Sequence, residues 1–352
     1  MTARSPSLPA LRPRAVVITA ALALVAAACV PLAPPAPLPP TYGPNPPVHG
    51  ADLPDPMIAT APGAYTALAT NQLFGPLVPS AGSSDLRSWT LGPDALLRQP
   101  SWADTDPDDW LKYWAPAAHQ FGATWVLYFT APSLWETQCI GVATATAAQG
   151  PYTPVDTAPF VCQPAIGGSI DPSVTVDAAG NPWLLWKGDG NCCNLPVHIY
   201  SQQLTADGLG LVGTPTAILG VDQGWEDGSS NGAEPWKRLI EGPSMVFRDN
   251  VYWLFYSANW WEGVNYAVGY AKCTSPAGGC SKPRDGPILK GSLQGAGPGG
   301  QEIFTDAGGQ LWLVYHSWAF SAVGYGRPGA ARTMRLSRLS FANGEPVLGG
   351  GP

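Results

Sequence analysis

One short pattern returns four times along this chain, and a fifth time in reduced form; few folds accommodate that. It reads Gly or Asn, two residues, Trp, Val or Leu, any residue, then Tyr or Trp. The copies start at Gly122 (with Trp125 and Tyr128), Gly180 (Trp183, Trp186), Asn250 (Trp253, Tyr256) and Gly309 (Trp312, Tyr315), and the degenerate one at Gly63-Ala64-Tyr65-Thr66. Successive starts lie 59, 58, 70 and 59 residues apart. The stretch Ile240 to Tyr256 reads as a β-hairpin, with an apolar strand, a polar turn at Arg248-Asp249-Asn250 and a Trp/Tyr-rich strand. Each copy follows a short apolar strand and precedes another strand-like run, such as His198 to Ser201 or Met334 to Arg338. Five four-stranded units of this size predict an all-β chain folded as a five-bladed β-propeller. A β-sandwich with accidental repeats is the alternative. In a propeller the repeated Trp and Tyr pack between blades, so they are not read as sugar platforms.

Composition agrees. Charged residues make up 12% of the 352 residues, against 41 Gly, 39 Pro and 15 Trp, which suits a turn-rich β protein better than a helical one. The net charge is −7, and removing Arg4, Arg12 and Arg14 with a leader leaves about −10. That excludes nucleic acid as the expected partner but not a neutral polysaccharide. The leader is residues 1–28. Arg12 and Arg14 precede an apolar run, Ala15 to Ala28, too short to anchor stably across a bilayer. It ends Leu24-Val25-Ala26-Ala27-Ala28-Cys29, which resembles a bacterial lipobox, with Cys29 the lipidated first residue of the mature chain. Ordinary signal-peptide cleavage with Cys29 incidental is the alternative. Residues 29–50 then form a Pro-rich linker, with nine prolines between 30 and 48. As polyproline II it would reach ~55–60 Å. The propeller is assigned to residues 51–352, exported to the cell surface or medium and acting as a monomer, with membrane contact only through the lipid anchor.

Six further cysteines suggest disulfides in an exported chain. Cys273 and Cys280 flank a Gly-rich turn, and Cys139 and Cys162 bracket a hairpin; both are expected pairs. Cys192 and Cys193 are then left as a vicinal pair or as free thiols. No CxxC spacing or paired His supports a metal site among them.

The carboxylates carry the chemistry. Counting back from each turn to the start of the preceding strand finds Asp55, eight residues before Gly63, Asp171, nine before Gly180, and Glu241, nine before Asn250. The first strand of every propeller blade lines the central channel, so these three acids from three blades should converge at one end. Pro56, Pro172 and Gly242-Pro243 follow them and turn the backbone away from a regular strand. Any one alone would read as a solvated turn acid. Convergent like charges perturb one another and keep one acid protonated, and two carboxylates flanking a sugar are the usual apparatus of glycoside hydrolysis.

Here the chain resembles glycoside hydrolase family 43, five-bladed propeller enzymes acting on arabinans and xylans. The resemblance lies in Leu53-Pro54-Asp55-Pro56, Ser84-Asp85-Leu86-Arg87-Ser88-Trp89, Tyr113-Trp114-Ala115-Pro116, Ile170-Asp171-Pro172-Ser173, Glu241-Gly242-Pro243-Ser244, Tyr256-Ser257-Ala258-Asn259 and Tyr315-His316, in that order. It implies an inverting enzyme with Asp55 as general base, Glu241 as general acid and Asp171 tuning and positioning the acid, with base and acid about 6.5–9.5 Å apart. It implies that His316 contacts a central cation, often calcium, directly or through water, with a backbone-bonded core histidine as the alternative. No cofactor is required for the reaction. Arg332 matches an arginine that in some members reaches the substrate, with a solvated or structural arginine as the alternative. Trp260, Trp261 and Trp114 are candidate sugar-stacking aromatics, with a packed loop cover as the alternative for Trp260 and Trp261. The chain departs from the pattern at Ala117, where many members carry an acid, and at Gln301-Glu302, where a His or Asn is common. The expected substrates are oligo- or polysaccharides containing arabinose or xylose. α-L-Arabinofuranosidase or endo-arabinanase action is favoured over β-xylosidase. The Trp-Met-Asn-Asp-Pro motif of the related retaining fructan hydrolases is absent. A surface propeller that binds carbohydrate without cleaving it is the non-enzymatic alternative.

Overall fold

Every copy of the repeat forms the turn and second strand of an antiparallel hairpin. The reason for its Gly or Asn is the backbone. Gly63, Gly122, Gly180, Asn250 and Gly309 take φ of 73°, 61°, 87°, 60° and 84°, a left-handed conformation that glycine adopts without penalty and asparagine tolerates. The Trp then closes the turn. The indole N–H of Trp183 donates to Asp177 Oδ2 at 3.1 Å, that of Trp312 to Asp306 Oδ2 at 2.8 Å, and that of Trp253 to the Arg248 carbonyl at 3.1 Å.

The structure is a computed structural model that describes residues 40–72, 75–104, 112–134, 136–155, 158–229 and 232–352. The expected leader, Cys29 and the first part of the Pro-rich linker lie outside these residues. Blade one comprises Met57–Ala61, Ala64–Leu68, Ser80–Ser83 and Thr90–Leu91. Blade two comprises Trp114–Phe121, Thr124–Pro132, Gln138–Ala145 and Thr153–Pro154, and blade three Ser169–Val176, Pro182–Gly188, His198–Leu204 and Leu211–Gly220. Ile240–Arg248, Val251–Ala258 and Ala267–Cys273 form blade four; Ala296–Thr305, Leu311–Trp318 and Arg332–Ala342 build blade five. Within each blade the strands pair in chain order. The first strand of each blade contacts the first strand of the next, and that of blade five contacts that of blade one. That closed ring makes the chain the expected five-bladed propeller.

The repeat aromatics pack at the seams between blades. Trp125 of blade two clusters with Leu68 and Val78 of blade one, and Trp312 of blade five with Ile58 and Ala67. Tyr128 and Trp186 share the seam of blades two and three, and Trp253 and Tyr315 that of blades four and five. Full burial of such side chains stabilises by roughly 1.5–3 kcal/mol each, so the repeat supplies the core that holds neighbouring blades together. All three expected or possible cysteine pairs are bonded: Cys139–Cys162, Cys273–Cys280 and the vicinal Cys192–Cys193.

The folded body begins earlier than residue 51. Tyr42 exchanges backbone hydrogen bonds with blade four's outer segment at Ile288 and Lys290, and Pro47–Asp52 pairs with Arg332–Ala342. Blade five therefore completes its outer edge with two pieces of chain, Pro47–Asp52 at one end and Glu345–Leu348 at the other. Asn45 pins the entering segment: its N–H donates to the Tyr315 hydroxyl at 2.9 Å. Its side-chain amide donates to the Leu336 carbonyl, Ser337 Oγ and the Gly349 carbonyl at 2.8–3.0 Å. Proline enrichment hid this, because the same residues that favour an extended tether also suit an edge strand. Asn45→Ala should lower stability by about 1–3 kcal/mol, read as a reduced midpoint in urea unfolding followed by tryptophan fluorescence. An unchanged midpoint would mean that the segment does not hold blade five.

Candidate active site

At one end of the channel the first strands of blades two to five carry a bulge, and the acids sit at or beside this level, with Asp55 just before the first strand of blade one. In blades two to five the pairing of first and second strands slips by one residue. The slip falls between Trp114 and Ala117, Ile170 and Ser173, Glu241 and Ser244, and Gly299 and Glu302. The residue at this place is left-handed in every blade: Asp55 (φ 47°), Ala115 (40°), Asp171 (55°), Gly242 (56°) and Gly300 (56°). For the non-glycine residues that conformation costs about 1–3 kcal/mol each, and such bulges re-aim side chains next to functional sites. Proline follows in four blades, where its missing N–H loses nothing at an already broken ladder.

The register also sharpens the counting from sequence. Asp55 and Asp171 are equivalent, whereas Glu241 stands one residue ahead of its bulge, level with Trp114, Ile170 and Gly299. Three acids do approach one another, but they do so from two adjacent positions of the repeat.

A relay of hydrogen bonds locks the bulges to the preceding blade. The Ala115 N–H donates to Thr70 Oγ1 at 2.8 Å, the Asp171 N–H to Thr130 Oγ1 at 3.1 Å and the Gly300 N–H to Ser257 Oγ at 2.9 Å. The Asp55 N–H donates to His316 Nδ1 at 3.0 Å, joining blade one to blade five. The acceptors come from or just beyond the second strands. Blade three breaks the series by placing Lys187 there, and lysine cannot accept. The Gly242 N–H turns instead to Asp171 Oδ2, at 3.0 Å, so the carboxylate of one acid holds the backbone beside another.

Each acid has a distinct setting. Asp55 accepts from Thr70 Oγ1 at 2.7 Å and faces Arg332 Nη1 at 3.2 Å. Glu241 accepts from Lys187 Nζ at 2.8 Å on Oε2 and from the Tyr266 hydroxyl at 2.9 Å on Oε1. Burial, and then the neighbouring Glu241 charge, push the Asp171 carboxyl above the usual carboxylate range, with Lys187 opposing. Gly299 and Gly300 make room: a Cβ on Gly299 would lie 2.1 Å from the Tyr266 ring, and one on Gly300 2.3 Å from Asp55 Oδ1.

His316 is buried, its ring stacked on Tyr266 with centroids 6.0 Å apart. Burial, with Arg332 and Arg335 nearby, holds it well below the ordinary histidine range, so it is neutral. Because Nδ1 accepts the Asp55 N–H, the proton sits on Nε2, which has no hydrogen-bond partner. That nitrogen can donate to the water of a hydrated cation but cannot ligate the ion directly. Among the described residues no group of three His, Cys, Asp or Glu is placed to hold a metal. The residues therefore fit a calcium ion only through its waters.

Of the other expected site residues, Trp114 is half-buried at the bulge of blade two, level with Glu241. Trp260 and Trp261 are half-buried, and both are partly engaged in packing: their rings lie 5.8 Å apart and Trp261 stacks on Trp318. Arg332 is buried, with its guanidinium 4.7 Å from the Trp261 ring centroid and bonded to the Tyr325 hydroxyl and Asp55. Its contacts make it a holder of Asp55. Gln301 bridges Ser257 Oγ and the Gly242 carbonyl, at 2.5 Å each, so this departure from the family pattern ties blade five to blade four. Sequence reasoning missed Lys187, Asp189, Tyr266 and Tyr325. Lys187 had a signal, since it follows the repeat aromatic Trp186 directly and is a charge in a buried strand.

A five-bladed propeller whose axis gathers three carboxylates at one mouth is the architecture of a propeller glycosidase. The chain belongs to the glycosyl hydrolases family 43, whose family pattern matches residues 44–346, and it is a glycoside hydrolase. It is 28% identical over 265 residues to the beta-D-galactofuranosidase xynD of Aspergillus niger, covering 72% of this chain and 68% of that protein. It is 26% identical over 282 residues to an extracellular endo-alpha-(1->5)-L-arabinanase of Bacillus subtilis, covering 75% and 77%. A thermostable family-43 glycoside hydrolase shares the fold with a TM-score of 0.72 at 23% identity, over 85% of this chain and 93% of that one.

The channel continues past the bulges as a cavity of about 550 Å³ walled by the first strands of all five blades. Glu302 lies in that wall and accepts from Ser173 Oγ at 3.0 Å. Burial pushes its carboxyl up to about 8, from 4.5 in the open chain. The folded protein thus holds a proton there that the unfolded chain releases, and stability falls as pH rises between about 4.5 and about 8. Glu302→Gln should remove this part of the slope, so that the variant gains on the wild type as pH increases, measured by calorimetric Tm across a pH series. Parallel Tm curves would show that Glu302 does not titrate in the folded state.

Proposed function

We propose that the protein is an exported, inverting glycosidase that cleaves furanosyl linkages, with α-L-arabinofuranosides the first substrates to test. Asp55 acts as general base, taking a proton from the water that attacks the anomeric carbon. Glu241 acts as general acid, giving its proton to the leaving glycosidic oxygen, and Asp171 orients it through the Gly242 amide. The observation that carries this reading is the unequal environment of the acids. Asp55 faces the Arg332 guanidinium and the Thr70 hydroxyl, apart from the Lys187–Glu241 pair. Asp171 shares its burial and charge with Glu241, an arrangement that retains protons among the acids. Neither proton transfer passes through a metal, and a hydrated calcium ion on the axis near His316 would serve structure.

Support for a furanose comes from the relatives, one named for galactofuranose and one for arabinan. β-D-Galactofuranose has the ring configuration of α-L-arabinofuranose with a longer exocyclic arm, which makes galactofuranosides the second panel to try. Xylosides rank behind both. Trp114, Trp260 and Trp261 rim the mouth as stacking surfaces. Three disulfides suit an oxidising compartment, and Cys29 is the proposed lipidation site. Cys29→Ser should move the protein from the membrane fraction to the medium, as seen by immunoblot; an unchanged membrane fraction would remove the anchor from the proposal.

The leaving group separates the two proton transfers. Glu241→Ala should cost about 10²–10⁴-fold on linear arabinan. The loss should be far smaller on 4-nitrophenyl α-L-arabinofuranoside, whose phenolate leaves without a proton. Asp55→Ala should impair both. Wild-type turnover should persist in EDTA, and NMR of the first product should show the inverted anomer. A retained anomer would remove Asp55 as base. Arabinan binding with no reducing sugar released from any substrate would favour the non-catalytic carbohydrate-binding reading.

A further inference from the structure

Lys187 is the one residue in the bulge-locking series that breaks its chemistry. Thr70, Thr130, Ser257 and His316 each accept the bulge N–H of the next blade. At the matching place, opposite Ile170, blade three carries a lysine. Its side chain is 2% exposed and its ammonium lies 2.8 Å from Glu241 Oε2 and 3.2 Å from Asp189 Oδ1. Burial works against this charge, yet the carboxylates of Glu241, Asp189 and Asp171 together hold the ammonium above the ordinary lysine range. A buried ammonium in place of a simple acceptor forfeits a backbone hydrogen bond, and Asp171 has to satisfy the Gly242 amide instead. Such a substitution needs a return, and the contact it gains is with Glu241.

We infer that Lys187 is a positioning residue for Glu241: with Asp189 it fixes the orientation of that carboxylate and sets how readily it takes and releases a proton. The inference rests on the proposed role of Glu241 as general acid. The ammonium on Oε2 and the Tyr266 hydroxyl on Oε1 fix the carboxyl plane. The ammonium is the positive charge bonded to Glu241, against the like charge of Asp171, which also feels Asp55. Arg332 offsets Asp55, and His316, stacked on Tyr266, is neutral. Asp189 works in the opposite sense to Lys187. It draws part of the ammonium's charge to itself and adds a further negative charge near Glu241. It is held in place as the residue before the short turn Gly190–Cys193, accepting the Cys192 N–H on its carbonyl at 3.2 Å and donating its own backbone N–H to the Gly168 carbonyl at 3.1 Å. Lys187 and Asp189 thus form a balanced pair, tuning the acid in opposite directions without touching the substrate.

The two variants Lys187→Met and Asp189→Asn test this through the sign of their effects. On linear arabinan, the alkaline limb of kcat/KM reports loss of the acid's proton. It should move up by about one pH unit or more in Lys187→Met, where Glu241 loses its counter-ion, and down by a smaller amount in Asp189→Asn. A structural defect alone lowers the rate at all pH values and leaves the limb in place. The same midpoints are read without turnover, from the carboxyl carbon of Glu241 in ¹³C-glutamate-labelled protein, assigned with Glu241→Gln. NMR midpoints that move in opposite directions while the rate limbs stay fixed would uphold the inference on Lys187 and remove Glu241 as the general acid. Midpoints that stay fixed, or that move the same way in both variants, overturn the inference whatever the enzyme cleaves. If Lys187→Met fails to fold, Asp189→Asn alone decides by whether its midpoint falls.

Discussion

The structure depends on where five bulge amides find their acceptors. A strand that breaks its ladder leaves a buried N–H, and an unpaired one costs about 1–3 kcal/mol. Here blade after blade hands that N–H to a side chain of its predecessor: Ala115 to Thr70, Asp171 to Thr130, Gly300 to Ser257 and Asp55 to His316. These bonds link blades that otherwise meet mainly through aromatic packing. They also fix the bulges in left-handed backbone that lifts Asp55 and Asp171 off their strands. The constraint that closes the ring is therefore also the one that aims the acids.

Blade three is where this scheme yields to chemistry. Lys187 gives up the acceptor role, Asp171 takes over the orphaned Gly242 amide, and Glu241 gains a buried cation. Removing one partner of a buried ion pair leaves an uncompensated charge, so Lys187, Glu241, Asp189 and Asp171 have to be considered as one electrostatic unit. Asp55 stands apart, engaged by Arg332 and Thr70. The acids thus fall into two settings, and the proposed division of proton transfer between them rests on that separation.

Much of the architecture was legible in the chain because its determinants are local. A left-handed turn needs Gly or Asn, and the Trp three residues on can reach back to close it, so the hairpin writes itself into sequence four times in full and once in reduced form. The acids were legible for a similar reason, being followed by Pro or Gly-Pro at a bulge. Their register was not. A bulge adds one residue to one strand, and counting from the turn cannot tell Glu241 from the true equivalent, Gly242. The entering segment was misread as part of a tether because proline suits both an extended linker and an edge strand. Only the pairing of Pro47–Asp52 with blade five distinguishes them. The neighbours of Arg332 were not legible either: Asp55, Tyr325 and Trp261 come to it from other parts of the chain.

By itself the sequence determined the number of blades, the aromatic seams between them, two of the three disulfides and which three acids stand at the strand starts, because each follows from spacing along one chain; whether Cys192 and Cys193 are bonded was decided by the structure. Tertiary structure alone decided which groups surround each acid. Lys187 is 54 residues from Glu241 in the chain, and His316 is 261 from Asp55. Charge and hydrogen bonding act through space over a few ångströms, and only closure of the ring brings those partners within reach.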